Sequence, residues 1–464
     1  KALAFLRFHN QESKNSDQRH LLYHMATGSG KTLIMAGAIL DLYKMGYRHF
    51  VFFVQSTNII KKTKDNFLKQ NHNKYLFNKT ISIEGKNIQI NEVSDFSYMN
   101  NTNDINILFT TIQGLHSNIK NPSENSMTLT SFEDQRVVLI ADEAHHINVD
   151  TRETQRDKKN RISWESTVDK IFQANSENFL LEFTATAELE HPEIEKKYND
   201  KLIYDYPLKK FREDKYSKEV KLFQADLEPF KRSLISVILS QYRRKVFEKN
   251  GLNIKPVILF KSKTIAESEG FYEEFCKKIQ NIDSKMLKNV MQFDESLNKS
   301  DNIFKKIGNF FKKNNITLEN LALEIKEDFK SNKCISVNSK DDSEEKQRIV
   351  NNLEDTNNQY RVVFAVDKLN EGWDVLNLFD IVRLYNTRDA DHKTGRIGNT
   401  TMQEAQLIGR GARYCPFKIE EHHDTFKRKY DDDTEAELRI CEELYYHAAH
   451  NPRYISELNK ALTK

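Results

Sequence analysis

The apolar run Leu21–Met25 leads directly into Ala26-Thr27-Gly28-Ser29-Gly30-Lys31-Thr32, and the pattern predicts a helix beginning near Thr32. A short buried strand, a glycine-rich turn and a helix start form one unit that fits few folds. Gly28 and Gly30 allow close backbone approach, and amides at a helix start point outward, so Thr27 through Thr32 form a cradle for phosphate groups. Met25 departs from the small residue usual at the first position of such a loop. Taken alone, a glycine-rich turn before a helix is also an ordinary tight strand-to-helix connection.

A second segment narrows the choice. The run Val137–Ala141 reads as a strand whose carboxyl end presents Asp142 and Glu143. Here Lys31 is placed to neutralise β- and γ-phosphates, and the Thr32 hydroxyl with Asp142 to ligate Mg²⁺. Glu143 is then left to face the attacking water. Both motifs in order, each after its own strand, imply nucleotide hydrolysis. His145 and His146 have a bland alternative, capping or packing at the strand end, and are not read as a metal site.

The 464 residues exceed what one compact core usually holds, so two domains are expected. A hydrophobic content of 38%, a charged content of 30% and a net charge of +3 are ordinary, so any basic groove must be local. Cys276, Cys334, Cys415 and Cys441 are widely spaced without a CxxC pair, which argues against a disulfide framework or a zinc site. No apolar run approaches the length of a membrane span and no signal-peptide pattern is present, so no membrane partner and a cytoplasmic location are expected. The chain begins at Lys1 without methionine, so further residues are expected beyond one end or both.

Short strand-like runs recur between helical stretches at Leu21–Met25, Phe50–Val54, Ile105–Thr110, Val137–Ala141 and Phe179–Thr184. This alternation predicts an α/β domain over residues 1–205 with a parallel sheet covered by helices. Ile81–Ile90 reads as a small hairpin turning around Glu84-Gly85-Lys86-Asn87. Residues 206–255 read as an inter-domain connection carrying a helix, Leu234–Phe247, that stops at Asn250-Gly251 before Pro256. A second alternating region over 256–417 has strand candidates Val257–Phe260, Cys334–Val337, Arg361–Ala365 and Ile381–Leu384, with no glycine-rich cradle of its own. Its first two strands are separated by a helical insertion, about 264–333. There Lys305, Lys306, Lys312 and Lys313 flank Phe304, Phe310 and Phe311. These lysines suit a phosphate backbone, but an amphipathic helix that buries its phenylalanines is the preferred reading.

Further along, Gln406-Leu407-Ile408-Gly409-Arg410-Gly411-Ala412-Arg413 sets two arginines one helical turn apart, suited to reach across a cleft to a γ-phosphate. Arg410 and Arg413 are therefore arginine-finger candidates, although a glycine-tolerant helix with surface arginines would look similar. In Leu369–Val375, Gly372 and Asp374 suit a turn facing nucleotide or nucleic acid, and Trp373 reads as a packing anchor.

The ordered set MATGSGKT, TTIQ at Thr110–Gln113, DEAH, TAT at Thr184–Thr186, LNEGWDV and QLIGRGAR resembles a superfamily-two helicase over nearly the whole chain. More narrowly, DEAHH, EGWDV, TTMQEAQLIGRGARYCPF and ELYYHAAHNPRYISELNKAL resemble the Res subunit of type III restriction-modification enzymes. The resemblance implies two RecA-like domains in tandem, ATP and Mg²⁺ as cofactors, double-stranded DNA as track and a methyltransferase (Mod) subunit as partner. By it Lys31, Thr32, Asp142 and Glu143 serve ATP and magnesium, with Gln406 and Asp374 near the nucleotide. Thr184 and Thr186 couple hydrolysis to DNA, while Gln55, Ser56, Thr57, Thr110, Thr111 and Gln113 line the DNA path. It also implies that residues 418–464 begin a connector to a nuclease domain that the sequence does not show. A glutamine motif for adenine is not evident, Gln11 and Gln18 being weak candidates. A stand-alone DNA or RNA helicase and an ATP-gated binding module remain the alternatives.

Overall fold

The computed structural model describes residues 1–12, 19–72, 74–96, 103–122, 127–144, 155–185, 192–292, 303–338, 344–366, 373, 375–386 and 398–463. Two compact units result, Lys1–Pro207 and Leu208–Lys464.

Among its described residues the first unit carries nine strands: β1 (His20–Met25), β2 (His49–Val54), β3 (Ile81–Ile83), β4 (Lys86–Ile88), β5 (Ile90–Glu92), β6 (Ile105–Thr111), β7 (Val137–Ala141), β8 (Phe179–Thr184) and β9 (Leu202–Tyr206). Seven of them form one sheet in the order β5-β6-β2-β7-β8-β1-β9, with every neighbouring pair parallel. Alternate residues of each central strand enter different cores. Phe50, Phe52 and Val54 pack with the helix Lys31–Lys44, while Val51 and Phe53 join Leu139, Ile171 and Leu180 on the other face. Such double coverage explains why these strands read as unbroken apolar runs.

The expected hairpin is β3 paired antiparallel with β4, and its turn residues Glu84 and Gly85 have φ of 52° and 75°. Positive φ at both central positions is what a two-residue hairpin needs to match strand twist. The turn is therefore tighter than the four-residue reading, and Ile90 belongs to β5 of the main sheet.

In the second unit the strands are β10 (Glu219–Gln224), β11 (Val257–Lys261), β12 (Cys334–Val337), β13 (Val362–Ala365), β14 (Leu378–Arg383) and β15 (Glu443–Ala448). They form one parallel sheet in the order β10-β15-β14-β11-β13-β12. Both units are thus parallel α/β domains of the RecA-like kind that the resemblance implied. The insertion between β11 and β12 holds helices Ile265–Ile279, Ser284–Gln292, Ile303–Lys313 and Leu318–Asp328. Within it Phe304, Ile307, Phe310 and Phe311 are buried, and Lys313 pairs with Glu437 at 3.3 Å, which fits the amphipathic reading of this lysine-rich helix.

The second unit is larger than 256–417. Residues 206–255 are not a free connection, because they supply β10 and the helix Pro229–Lys249, whose Leu234, Ile235, Val237, Ile238 and Leu239 are all buried. Residues 234–243, polar ones included, are buried without interruption, so this helix lies inside a core. Arg243 of this helix donates to Asp380 Oδ2 at 2.7 Å, and the same carboxylate meets His447 Nε2 at 3.0 Å, with all three side chains fully buried. Likewise the stretch 418–464 is no peripheral connector, since β15 pairs with β14 on one side and β10 on the other.

Candidate functional site

The carboxyl edge of the first sheet gathers most of the sequence-predicted residues. All strands of that sheet run the same way, so the loops leaving β6, β2, β7, β8 and β1 emerge side by side along one edge in that order. In open parallel sheets this is the edge where ligands bind.

The loop after β1 is held by Ser29, whose amide and hydroxyl both meet the Ala26 carbonyl oxygen, at 3.1 and 2.7 Å. Gly28 and Gly30 take φ of 85° and 96°, left-handed values that a side chain would strain. The helix Lys31–Lys44 starts at Gly30 without a side-chain cap, which leaves its first amides available to an anion at the positive end of the helix dipole. Lys31 is the first helical residue and is buried, Thr27 and Thr32 are half-buried, and Gly28 is exposed. Amides, an ammonium and a hydroxyl in this arrangement fit the phosphates of a nucleotide and an oxygen-seeking cation.

Asp142 continues β7 by donating its amide to the Phe53 carbonyl oxygen at 3.2 Å. Burial raises its carboxyl to about 6, the neighbouring Glu143 charge adds to this, and Lys31 opposes it. Lys31 thus acts electrostatically on Asp142 at this sheet edge. Glu143 has φ of 49°, and its amide donates to Asp142 Oδ1 at 2.9 Å. A left-handed glutamate is strained by roughly 1–3 kcal/mol.

Between these motifs, β8 pairs with β7 on one side and β1 on the other, and Thr184 at its end lies opposite His24. Thr184 is fully buried, so any part it plays is one of coupling through the sheet edge rather than direct contact with DNA. Farther along, Val54 pairs with Thr111, which brings Gln55–Thr57 beside Thr110–Gln113. Gln55 and Thr57 are exposed; Ser56, Thr110 and Gln113 are half-buried. The Thr111 hydroxyl accepts from the Gly114 amide at 3.0 Å and caps the helix Ile112–Lys120, a structural duty the sequence reading missed.

In the second unit Gln406, Arg410 and Arg413 follow one face of the helix Asn399–Gly411 and its C-terminal extension. Arg410 is 8% exposed and Arg413 half-buried, so neither is the freely solvated surface arginine of the bland reading. Gly411 carries no Cβ where one would meet Leu378, Ile381 and Leu444 at 3.1–3.2 Å, whereas a Cβ at Gly409 would meet nothing within 4 Å. The two glycines of this motif therefore differ, and Gly411 is there for close helix-to-sheet packing. Trp373 is 2% exposed and donates to the Val350 carbonyl oxygen at 3.1 Å, which makes it the expected packing anchor. Gly372, Asp374, Thr186, His145, His146 and Gln18 lie outside the described residues, as does the side chain of Gln11.

One network had no sequence signal. Glu404, fully buried, accepts from Arg383 Nε at 2.7 Å and from the Tyr385 hydroxyl at 2.6 Å, and Tyr454 of the helix Pro452–Thr463 reaches its other oxygen at 2.5 Å. It ties the arginine-bearing helix to β14 and to the last helix.

The family model described as the type III restriction enzyme, res subunit, matches residues 3–189. The "Probable type III restriction-modification enzyme HindVIP Res subunit" of Haemophilus influenzae is 38% identical over 415 residues, 81% of this chain and 80% of the relative. The chain belongs to the type III restriction enzyme Res-subunit family. A second model, described as an N-terminal region, matches residues 400–464, and an uncharacterized H. influenzae protein is 52% identical over 65 residues, 14% of each chain. Among solved structures, S. cerevisiae Dbp5 bound to RNA and ADP BeF3 aligns with 99% of this chain and 97% of its own at 10% identity and a TM-score of 0.43. A DEAD box protein from Methanococcus jannaschii aligns with 99% and 93% at 14% identity and a TM-score of 0.38. As a Res-family member with tandem RecA-like domains, the chain is a helicase-type, nucleotide-hydrolysing motor of a restriction system. Among the described residues of this Res-family chain, no helix is long and apolar enough to cross a membrane.

Proposed function

We propose that this Res-family motor binds ATP with Mg²⁺ in the loop Thr27–Thr32 and hydrolyses it while acting on double-stranded DNA, in company with a methyltransferase (Mod) subunit. The observation that carries this reading is the order of loops along the carboxyl edge of the first sheet. It sets Thr110–Gln113 and Gln55–Thr57 on one flank, Asp142 and Glu143 at the centre, and Lys31 and Thr32 on the other flank. A polymer lying across the first two loops would be coupled to the nucleotide site through adjacent strands of one sheet.

Lys31 and the helix-start amides bind and orient the phosphates; Thr32 and Asp142 hold the ion, which supplies charge neutralisation on the phosphate oxygens. Glu143 takes up the proton of the attacking water at its carboxylate. Arg410 and Arg413 stabilise the charge that builds on the transferring phosphoryl group, with Gln406 on the same helix face contacting nucleotide. Gly372 and Asp374 complete the nucleotide contacts, and Thr184 with Thr186 relays the state of the site to the DNA loops.

The test is steady-state ATP hydrolysis by the purified protein with duplex DNA, single-stranded DNA or RNA added in turn. Duplex DNA is expected to stimulate turnover most, with a steep loss as salt rises, because phosphate contacts dominate binding. Stimulation by RNA alone would replace this reading with that of an RNA helicase.

A further inference from the structure

Lys218, just before β10, is fully buried, an uncommon fate for a lysine. Among the described residues its ammonium has no carboxylate partner. Instead Nζ donates to three backbone carbonyl oxygens, those of Leu376 and Leu378 at 2.7 Å each and that of Gly411 at 2.9 Å. Three protons meet three acceptors, so the charged form is fully satisfied. The ammonium also lies 4.5 Å from the centre of the Phe379 ring.

These contacts converge on one place. Gly411 ends the helix that carries Arg410, and its carbonyl is one of those a helix leaves unpaired at its negative end. The Lys218 amide donates to the Ala412 carbonyl oxygen at 2.6 Å, and Ser217 forms an antiparallel bridge with Arg413. Arg428 secures the other side of this bridge by donating to the Ser217 carbonyl oxygen at 2.6 Å. The chain between the two arginines is thus held by a single lysine that binds it through both backbone and side chain.

We propose that Lys218 is a positioning residue for the arginine pair: its ammonium fixes the turn between Arg410 and Arg413, so their contribution to phosphoryl transfer depends on it. This rests on the reading of Arg410 and Arg413 given above. Burial lowers the Lys218 ammonium to about 7; Cys415 and Glu354 act to raise it, while Arg243 and Arg413 lower it further. Deprotonation leaves two N–H donors for three carbonyls, so the clamp loosens as pH rises through neutrality.

The experiment measures DNA-stimulated ATP turnover for Lys218→Met, Arg410→Ala, Arg413→Ala and the double variant Lys218→Met/Arg413→Ala, with nucleotide affinity and thermal unfolding alongside. A folded Lys218→Met protein is expected to lose roughly tenfold or more in kcat with ATP affinity within about threefold, and to lose little more when Arg413→Ala is added. Additive losses, or unchanged turnover in folded Lys218→Met, overturn the proposal. Should Lys218→Met fail to fold, the wild-type protein decides: kcat must fall between about pH 6 and about pH 8, one unit either side of the Lys218 value, at constant ATP affinity. A flat profile overturns the proposal. If Arg410→Ala and Arg413→Ala themselves leave turnover intact, the arginine assignment fails first and the positioning role with it; if they depress turnover while Lys218→Met does not, only the positioning role fails.

Discussion

His20 Nε2 lies 2.7 Å from Glu182 Oε2 between adjacent strands β1 and β8, with side chains only 7% and 2% exposed. Burial alone would raise the Glu182 carboxyl, but the charge and hydrogen bond of His20, with help from Lys197 and Tyr198, bring it down from 4.5 to about 2. A depressed carboxyl contributes stability that is present above the unfolded value and lost as pH falls towards the folded one. The first unit should therefore lose on the order of 3 kcal/mol between about pH 4.5 and pH 2 from this group. Glu182→Gln should remove most of that pH dependence in denaturant titrations. An unchanged acid limb would discount the pair.

Glu143→Gln should keep nucleotide and Mg²⁺ binding while turnover falls by about 10²–10⁴, the range for loss of a general base. Equilibrium binding of a fluorescent ATP analogue, run beside single-turnover hydrolysis, separates the two effects. Near-normal turnover in this variant would remove Glu143 as the base.

Lys31→Ala should instead weaken nucleotide binding itself, because its ammonium acts on the bound phosphates in ground and transition states alike. Chelating Mg²⁺ should stop turnover in the wild-type protein, and adding the ion back should restore it. A Lys31→Ala protein with wild-type ATP affinity contradicts the phosphate-loop assignment.

Replacing Arg410 or Arg413 by Ala should depress kcat far more than ATP affinity, and Lys at either position should rescue poorly, since a point charge does not reproduce the planar fork. Kinetics over a range of ATP concentrations reads both quantities. A loss confined to KM would make these arginines simple binding residues.

The two glycines of GRGAR should respond differently to alanine. Gly409→Ala meets nothing within 4 Å and gains helix propensity, so its stability should rise by up to about 1 kcal/mol. Gly411→Ala presses on Leu378, Ile381 and Leu444 at 3.1–3.2 Å and should cost roughly 1 kcal/mol or more. Thermal unfolding of the two variants gives the comparison; equal shifts would mean that the helix does not sit so close to its sheet.

Several elements were legible because their signals are local. The strands β1, β2, β6, β7 and β8 are short apolar runs covered on both faces, and each could be read within a residue or so of its ends. The candidate phosphate loop declares itself through glycines needing positive φ and a lysine opening a helix, all within a few residues. By contrast β10 and β15 read in the sequence as connecting chain, and the helix Pro229–Lys249, expected over Leu234–Phe247, reads as part of an inter-domain connection rather than of a core. β10 has a half-buried pattern with Lys221 inside it, and its pairing with β15 joins residues more than two hundred positions apart.

The sequence by itself determined the local features of the candidate site: the glycine-rich loop that opens a helix, the carboxylates that follow a strand, and the arginines that share a helix face. These depend on backbone conformation and side-chain type over spans of four to eight residues. Only the tertiary structure decided where the second unit begins and ends, that Gly411 is a packing contact, and that Lys218 is a clamp. In the chain Lys218 stands among Lys215, Lys221 and other charged residues and looks like any surface lysine. Its burial is tolerable because three carbonyl oxygens, from residues 158, 160 and 193 positions away, replace the water it loses. That compensation comes into being only when distant segments meet.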